Sequence, residues 1–513
     1  MSREPRFTQE SSQRSRLHVI SGKTADTVRT AVPLSAVFTI FLIDRAMITG
    51  TNRPLLLLLA LQALSSVLPA EDWPWFLGPR HTGESSETDL QPDWTKTPPK
   101  LLWKQSIGTG YSAPSVLGDR VVVHHRQERT EVISCRSVAT GEELWKYSYP
   151  SSFQDPYGYN NGPRCSPVLT QDHCFTLGAE GMLVCVSFAD GRLIWQHDLR
   201  KLFQIPEWFF GMGCSPLLDG DRLIVLVGGQ PDAGVVAFET ATGKQIWQNC
   251  GRSTWDGTTT PEGDTYTWTG DEMVVSYSSP FIAEIGGQRH LLCLLRQGLV
   301  SLDPESGRLN FRHWFRSRVH ESVNAARPVV IGDQILLSAA YEVGAELLKV
   351  APDGRSVSQV WKNRRSLQAH WSTPIHVDGF VYGFSGRHEN EGELRCVSLA
   401  DGAVQWSTAG FEGDLNELRL DRTTGKVLRA DTGEQVPYPF FGRGSLTRVG
   451  SRFIVLGERG TMAVADVNPQ KYVEHGRFAL DEIGNPSWVA PVISAGRMYL
   501  RSEDWLVCLD LRR

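Results

Sequence analysis

Thr140-Gly141-Glu142-Glu143-Leu144-Trp145 is the first clear copy of a short motif that recurs along this chain of 513 residues. The motif consists of a small or acidic residue, a glycine, three variable positions and an aromatic residue. Its other close copies run from Asp190 to Trp195, from Thr242 to Trp247, from Ser306 to Phe311 and from Asp401 to Trp406, and Asp353 to Trp361 is a looser copy. Repetition at a period of roughly 45 to 60 residues indicates stacked supersecondary units.

A second motif keeps step with the first and marks where each unit begins. It places one or two small residues before a proline, and a turn and an apolar run follow. Proline is tolerated at the first residue of a strand, where its missing N–H removes little from the ladder. The prolines are Pro114, Pro167, Pro216, Pro280, Pro328, Pro374 and Pro491. The apolar runs between them, bounded by Gly, Asp or Asn, predict four short strands in each unit.

Four antiparallel strands repeated around an axis form the blades of a β-propeller, and the blades of this chain can be counted. Seven prolines mark seven blades, and Gly444-Ser445-Leu446 begins an eighth that lacks the proline. The last blade is one strand short, and Leu101 to Lys104 has the pattern of the missing strand. We therefore predict an all-β, eight-bladed propeller whose ring is closed by this N-terminal strand. A seven-bladed ring, an unclosed repeat array and two β-sandwiches are the alternatives.

The N-terminal region has the pattern of an export signal. Arg53 precedes the apolar stretch Leu55 to Leu64, and Val67-Leu68-Pro69-Ala70 has the small residues of a cleavage site. A cytoplasmic leader with Ala31 to Ile43 as a second apolar patch is the alternative. The predicted boundaries are 1–46 for an over-long gene start or disordered leader, 47–70 for a signal peptide, 71–100 for an extended segment and 101–513 for the propeller. We expect a periplasmic or secreted protein that is soluble after cleavage.

Charge and cysteine spacing narrow the function classes. The formal net charge is −5 and no run of Lys or Arg occurs, so neither nucleic acid nor a membrane surface is a favoured partner. The nine cysteines show no C-x-x-C, C-x-x-C-H or zinc spacing, so haem and structural zinc are unsupported. Several cysteines fall at equivalent places in different blades, which lie far apart around a ring. We expect most of them to be buried small apolar residues.

These motifs resemble the PQQ-like repeat family, in which a blade ends in a [TD]-G-x-x-x-W motif and eight blades form one ring. The resemblance covers roughly Trp73 to Arg513, and Trp73 to Pro79 is similar to the opening of exported members, particularly those of planctomycete-type bacteria. The family includes quinoprotein alcohol dehydrogenases, which hold pyrroloquinoline quinone (PQQ) and Ca²⁺ in the central funnel. It also includes propellers without a cofactor that serve as docking surfaces in outer-membrane β-barrel assembly. The fold alone does not choose between these functions.

The sequence offers little support for the residues that a quinoprotein dehydrogenase needs for its cofactor and Ca²⁺. No two cysteines are adjacent, although such a pair is typical of the quinoprotein enzymes. Candidate Ca²⁺ ligands are Asp155, Asn160 and Asn161, or Glu321 and Asn324, but their spacing does not force convergence and loop polarity explains them as well. His124-His125 points to opposite faces of a strand and is interpreted as a half-buried strand end. We therefore predict no catalytic residue and no metal site, with PQQ and Ca²⁺ as the alternative cofactors.

One repeat position provides the candidate ligand-binding residues. It lies three residues before the proline of each blade, and because the first strand of a blade lines the central channel, this position forms a ring. The candidates are Tyr111, Arg164, Tyr277, Trp371, Arg443 and Trp488, with Gly213 and Ala325 at the two remaining positions. Aromatic rings and guanidinium groups suit stacking and an anionic or carbonyl group. The alternative is that the aromatic residues only plug the channel.

Long connections predict a binding face. They run from Trp145 to Pro167, from Trp195 to Pro216, from Trp247 to Pro280 and from Trp406 to Leu446. Each joins an outer strand to the next inner strand, so all emerge on one face, where long loops on a rigid scaffold usually carry function. Tyr157 to Asn161, Pro206 to Phe210 and Tyr438 to Phe441 bring aromatic residues there, either as a lid or as a partner contact.

Together these features predict a non-catalytic, exported propeller that acts as a binding or scaffold module. Its partner is expected to be a protein, or a small-molecule or glycan ligand, on the face that carries the long loops. A PQQ- and Ca²⁺-dependent alcohol dehydrogenase with a degenerate site is one alternative function, and a carbohydrate-binding propeller is another.

Overall fold

The computed structural model describes residues 71–87, 93–94, 96–206, 210–269, 272–319 and 322–512. The predicted leader and signal peptide, and the candidate ligand Glu321, lie outside these residues. The described residues contain seven four-stranded antiparallel sheets, an eighth in which a short parallel strand joins four antiparallel ones, a small three-stranded sheet and only four short helical turns, which confirms the predicted all-β propeller blades. No helix among these residues has both the length and the apolar character needed to cross a membrane.

Two strands, β1 (Glu84–Ser85) and β2 (Lys100–Ser106), precede the blades. Each of the first six blades then consists of four consecutive strands. Blade 1 contains β3 (Ser115–Leu117), β4 (Arg120–Gln127), β5 (Thr130–Ser137) and β6 (Glu143–Pro150); blade 2 contains β7 (Val168–Leu169), β8 (His173–Leu177), β9 (Met182–Ser187) and β10 (Leu193–Asp198); blade 3 contains β11 (Leu217–Asp219), β12 (Arg222–Gly229), β13 (Ala233–Glu239) and β14 (Gln245–Asn249). Blade 4 contains β15 (Phe281–Ile285), β16 (Gln288–Leu294), β17 (Gly298–Leu302) and β18 (Leu309–Trp314); blade 5 contains β19 (Val329–Ile331), β20 (Gln334–Ala339), β21 (Gly344–Val350) and β22 (Val357–Asn363); blade 6 contains β23 (Ile375–Val377), β24 (Phe380–Ser385), β25 (Glu393–Ser398) and β26 (Val404–Thr408).

The last two blades depart from this scheme. Blade 7 contains β30 (Ser445–Val449), β31 (Arg452–Leu456), β32 (Met462–Asp466) and β33 (Glu474–Phe478), and blade 8 contains β34 (Val492–Ser494), β35 (Arg497–Arg501), β36 (Trp505–Asp510) and the early strand β2. The long connection between blades 6 and 7 holds a small sheet of β27 (Leu418–Leu420), β28 (Val427–Arg429) and β29 (Gln435–Val436). The helical turns are Leu199–Leu202, Arg252–Trp255, Glu389–Glu391 and Leu415–Glu417.

The repeated Gly/aromatic motif forms the turn between the third and fourth strands and locks neighbouring blades together. Gly191, for example, has a φ of 73°, in the left-handed region that favours glycine. A Cβ at this position would lie 2.5 Å from the ring of Trp145 in the preceding blade. The indole Nε1 of Trp145 donates a 3.0 Å hydrogen bond to the backbone O of Phe188 in blade 2. The glycine therefore permits both the turn and the approach of the aromatic ring.

Strand β2 completes blade 8, as the sequence pattern predicts. Trp103 in β2 pairs antiparallel with Cys508 in β36. Its indole Nε1 donates a 3.0 Å hydrogen bond to the backbone O of Val138 beside blade 1. Trp103 also shares one hydrophobic cluster with Val123 of blade 1 and Tyr499 of blade 8. The early strand thus ties the last blade to the first.

Residues 71–87 form a segment, here named the N-terminal strap, that contacts the far ends of the inner strands. The backbone of Trp73 exchanges two 2.9 Å hydrogen bonds with Val116 in blade 1, and the Trp75 indole donates a 3.0 Å bond to the backbone O of Leu169 in blade 2. At its other end, β1 pairs in parallel with β30 of blade 7. The strap therefore runs from blades 1 and 2 to blade 7.

The cysteines and the histidine pair are both buried in the blades. All nine cysteines are buried and unpaired, which agrees with their predicted role as small apolar residues. The interpretation of His124 and His125 as a half-buried strand end is wrong, because both are almost completely buried. Nδ1 of His125 accepts a 3.0 Å bond from the backbone N of Gly108, and Nε2 of His124 lies 3.2 Å from Oε2 of Glu131. The neighbouring blades cover both faces of strand β4, so side chains on either face are buried.

Candidate functional site

The eight residues of the predicted ring position all line one central cavity of about 550 Å³. They stand just before the inner strand of each blade, so the radial repeat brings them to one end of the channel. They are Tyr111, Arg164, Gly213, Tyr277, Ala325, Trp371, Arg443 and Trp488. Their role in ligand binding remains a prediction, and their convergence on one cavity is the structural finding.

Three of the aromatic candidates form a continuous wall. The ring centroids of Trp371 and Trp488 are 4.8 Å apart, and those of Tyr111 and Trp488 are 4.9 Å apart. The planes of these two pairs meet at 51° and 52°, so the wall is curved. Tyr277 lies apart from this wall and contacts Phe210, with the ring centroids 5.5 Å apart.

The two arginine candidates are held by carboxylates of the protein. Nε of Arg443 donates to both carboxylate oxygens of Glu458, at 3.1 and 3.0 Å, and the Trp488 indole donates to the same carboxylate at 2.9 Å. The Arg443 guanidinium lies over the Trp371 ring, 4.9 Å from its centroid. Nη2 of Arg164 donates to Oδ2 of Asp155 at 2.6 Å. The positive charge that the sequence suggests for an anionic group is therefore already compensated at both positions.

Three further residues, Tyr341, His370 and Arg387, extend the aromatic wall and were not predicted from the sequence. The hydroxyl of Tyr341 lies 3.1 Å from Nε2 of His370, and the His370 ring lies 4.7 Å from that of Trp371. The Arg387 guanidinium lies over the Tyr341 ring, 4.6 Å from its centroid. Tyr341 and Arg387 belong to the loops between the second and third strands of blades 5 and 6. These loops emerge on the same face as the long connections, because strand direction alternates along a blade, and this alternation was the available signal.

The electrostatics of this extension differ from those of the predicted arginines. Burial, together with the charges of Arg443 and Arg387, lowers the pKa of His370 to about 3, so this ring is neutral at ordinary pH. Arg387 forms no ion pair with any carboxylate of the described chain, in contrast to Arg164 and Arg443. Of these three cavity-lining guanidinium groups, that of Arg387 is the uncompensated one.

Buried polar atoms of the cavity lining lack protein partners. Nδ1 of His370, Nε1 of Trp371 and Oγ of Ser445 are each shielded from solvent and make no hydrogen bond with the described residues. Buried polar groups in folded proteins are nearly always hydrogen-bonded, so an unpaired group needs an explanation. Because these three atoms are shielded from solvent, they do not offer hydrogen bonds to a ligand in the open part of the cavity.

The loop aromatics are divided between the cavity mouth and the protein interior. Tyr157 and Tyr159 are 50% and 52% exposed, and the Tyr159 ring lies 5.8 Å from that of Trp488. In the predicted aromatic segment Tyr438 to Phe441, Phe441 is fully buried against Phe384 and does not face the cavity mouth. Residues 207–209 lie outside the described part of the chain.

The sequence model of a family described as outer membrane protein assembly factor BamB matches residues 129–408, which is more than half of the chain. This chain belongs to that family of PQQ-like propellers. Its fold is similar to that of BamB from Moraxella catarrhalis, with a TM-score of 0.51 at 11% identity over 80% of this chain and 99% of that one. It is also similar to quinohemoprotein alcohol dehydrogenase from Comamonas testosteroni, with a TM-score of 0.55 at 12% identity over 86% and 80% of the two chains. No curated protein matches the sequence.

Similarities at such low identity show the fold alone. Whether this PQQ-like propeller can hold the cofactor of the dehydrogenases therefore depends on whether its own residues are free to bind that cofactor. Asp155, Asn160 and Asn161 do lie together, beside Glu503. Their polar atoms are committed to one another and to Arg164, since Nδ2 of Asn160 donates to Glu503 at 2.6 Å and Oδ1 of Asn161 accepts from the backbone N of Asp155 at 2.8 Å.

The second set of candidate Ca²⁺ ligands is also committed elsewhere. Nδ2 of Asn324 donates to the backbone O of Leu295 at 2.9 Å and to that of Phe315 at 3.0 Å. Within the described ranges, no group of three or more His, Cys, Asp or Glu side chains is arranged to hold a metal ion. The candidate Ca²⁺ ligands that the structure describes therefore form structural networks.

Proposed function

We propose that this PQQ-like propeller is a non-catalytic binding module whose ligand or partner engages the central cavity on the face with the long loops. One observation carries the proposal: the ring position of all eight blades converges on one cavity whose wall combines aromatic rings with a few polar side chains. Aromatic walls with a few placed polar groups are typical of ligand sites.

The loops around the mouth support the same function. Tyr157 and Tyr159 are half-exposed, and the Tyr159 ring lies beside Trp488, so aromatic surface continues from the cavity wall to the mouth. The mouth is framed by connections held on a rigid set of blades, an arrangement that typically carries binding. We propose an exported location, periplasmic or secreted, because a predicted signal peptide precedes the propeller. Neither nucleic acid nor a membrane surface is the proposed partner.

We propose that this cavity does not hold PQQ with Ca²⁺. The several carboxylates of PQQ require several free cations, and Arg164 and Arg443 are already paired. The described candidate ligands for Ca²⁺ are likewise committed. We therefore assign no chemical step to this cavity.

The test uses the mature chain from Glu71 and the double variant Trp371→Ala/Trp488→Ala. Both are titrated with a panel of oligosaccharides and extended peptides, and both are assayed for dye-linked alcohol oxidation after PQQ and Ca²⁺ are added. We expect one class of the panel to bind the parent chain and not the double variant, while circular dichroism shows that the double variant keeps the β-sheet spectrum of the parent chain. Alcohol turnover, or a large stability loss without any panel binding, would overturn the proposal.

A further inference from the structure

We propose that the cavity binds an acidic saccharide, with a sugar ring against the Trp371–Trp488 wall and its carboxylate at Arg387. This inference rests on the proposed function, because it names the ligand class of the same cavity. It follows from three properties of the wall, which are its curvature, its balance of donors and acceptors, and its single uncompensated charge.

The shape of the wall favours a puckered ring. His370, Trp371, Trp488 and Tyr111 follow one another with centroids 4.7 to 4.9 Å apart, and each plane is turned by 42° to 52° from the next. The faces of these rings carry partial negative charge, which attracts the slightly positive C–H groups of an aliphatic ring. Ring faces at several angles can contact the C–H groups on more than one side of a chair-shaped sugar, whereas a flat ligand can lie against only one face.

The polar groups of the wall favour a ligand rich in acceptors. The guanidinium of Arg387 supplies donors at the cavity. The nearby carboxylates are occupied, since Glu458 accepts from Arg443 and Trp488, and Asp155 accepts from Arg164. Carboxylate oxygens of an acidic sugar satisfy the donors of Arg387, while a cationic ligand meets no carboxylate among the cavity-lining residues that the structure describes.

The number of free charges favours one carboxylate on the bound ring. Arg387 is half-buried and is held over Tyr341, so its position is restricted before a ligand arrives. A guanidinium fork binds a carboxylate with two parallel hydrogen bonds, which adds geometric selectivity to charge. A hexuronic acid carries one carboxylate on each ring, and this matches the one cavity-lining guanidinium that has no carboxylate partner among the described residues.

The test measures affinity by calorimetry for trisaccharides of galacturonate, glucuronate, mannuronate and guluronate, each beside its neutral methyl ester. We expect at least one acid to bind ~10-fold or more tightly than its ester, since a hydrogen bond to a charged group corresponds to about a 10- to 100-fold effect. Arg387→Gln should remove this preference by weakening the binding of the acid more than that of the ester. Arg192→Gln, the same change at an exposed position in a turn on the opposite face, should alter neither affinity.

Each outcome decides between the hypotheses. Equal binding of acid and ester, or an acid preference that survives in Arg387→Gln, overturns the assignment of the carboxylate to Arg387. If none of the eight saccharides binds but a peptide binds and depends on Trp371 and Trp488, the saccharide inference fails and the proposed binding function stands. If neither saccharides nor peptides bind, both fail.

Discussion

Arg501 provides the sharpest test of how the last blade is attached to the first. Its guanidinium is 1% exposed and belongs to β35 of blade 8. Nη1 donates to the backbone O of Ser112 at 2.6 Å and to that of His124 at 2.8 Å, and both acceptors belong to blade 1 or its approach. Burial lowers the pKa of Arg501 to about 9, so the group is still charged at pH 7.

The expected effect of Arg501→Met follows from these contacts. Methionine keeps much of the apolar stem but removes both short hydrogen bonds, each worth about 1.5 to 3 kcal/mol when the donor is charged. Part of this loss is offset because a guanidinium whose Nε has no partner no longer has to be desolvated. We therefore expect the free energy of unfolding to fall by about 3 kcal/mol.

Urea unfolding followed by tryptophan fluorescence measures this change through the midpoint of the transition. Arg512→Gln is the matched control, because Arg512 is exposed and its ion-pair partner among the described residues is Asp510, two residues away. This control should change the free energy of unfolding by less than about 0.5 kcal/mol. If Arg501→Met also stays within about 0.5 kcal/mol of the parent chain, the argument that Arg501 joins blade 8 to blade 1 is wrong.

Three further predictions concern the blades and the N-terminal strap. A chain that starts at Asp93 keeps β2 and should remain folded, whereas a chain that starts at Ile107 leaves blade 8 with three strands and should aggregate. Size-exclusion chromatography and circular dichroism distinguish the two outcomes. A folded monomer from the chain that starts at Ile107 would contradict the role of β2. Gly191→Ala should lower stability by about 1 to 3 kcal/mol more than Gly220→Ala, because both glycines have positive φ but only Gly191 faces a tryptophan ring; equal urea midpoints would contradict this. Burial, and then the charges of Arg501, His124, Arg136 and Lys146, lower the pKa of His125 to about 2. Between pH 6.5 and 2 the unfolded chain therefore binds a proton at this residue that the folded chain does not, and the free energy of unfolding falls as the pH drops. His125→Asn should therefore reduce the loss of unfolding free energy between pH 7 and pH 5 by about 2 kcal/mol, and an unchanged loss in the variant would refute the assignment.

Much of the fold could be predicted because the information is local and repeated. The Gly/aromatic motif determines a turn and the contact of one ring with the next blade, so Gly191 and Trp145 could be interpreted without knowledge of the rest of the chain. Leu101 to Lys104 could be assigned to blade 8 because the last repeat lacks one strand. The eight residues of the ring position could be brought to one cavity by symmetry alone.

The charges of the site could not be predicted in the same way. Arg443 precedes the first strand of blade 7 and Glu458 follows its second strand, and no repeat position in the sequence marks Glu458 as the partner of Arg443. Arg387 and Tyr341 lie in loops of different length in blades 5 and 6, so periodicity does not align them, although strand direction places both loops at the cavity mouth. Burial of His124 and His125 depends on the covering of both faces of β4 by neighbouring blades, which alternation within one strand does not reveal.

The N-terminal strap adds a constraint on how a long ligand engages the cavity. Trp73, Phe76 and Leu77 of the strap line the cavity together with the aromatic wall, and they contribute apolar surface at the far end of the inner strands. These strap side chains occupy the end of the channel opposite the long loops, so a polysaccharide that enters between the loops meets them. In the proposed complex, a chain end would place its terminal ring against Trp371 and Trp488 and leave the remaining rings near Tyr157 and Tyr159. The proposal therefore predicts that chain ends bind in preference to internal segments.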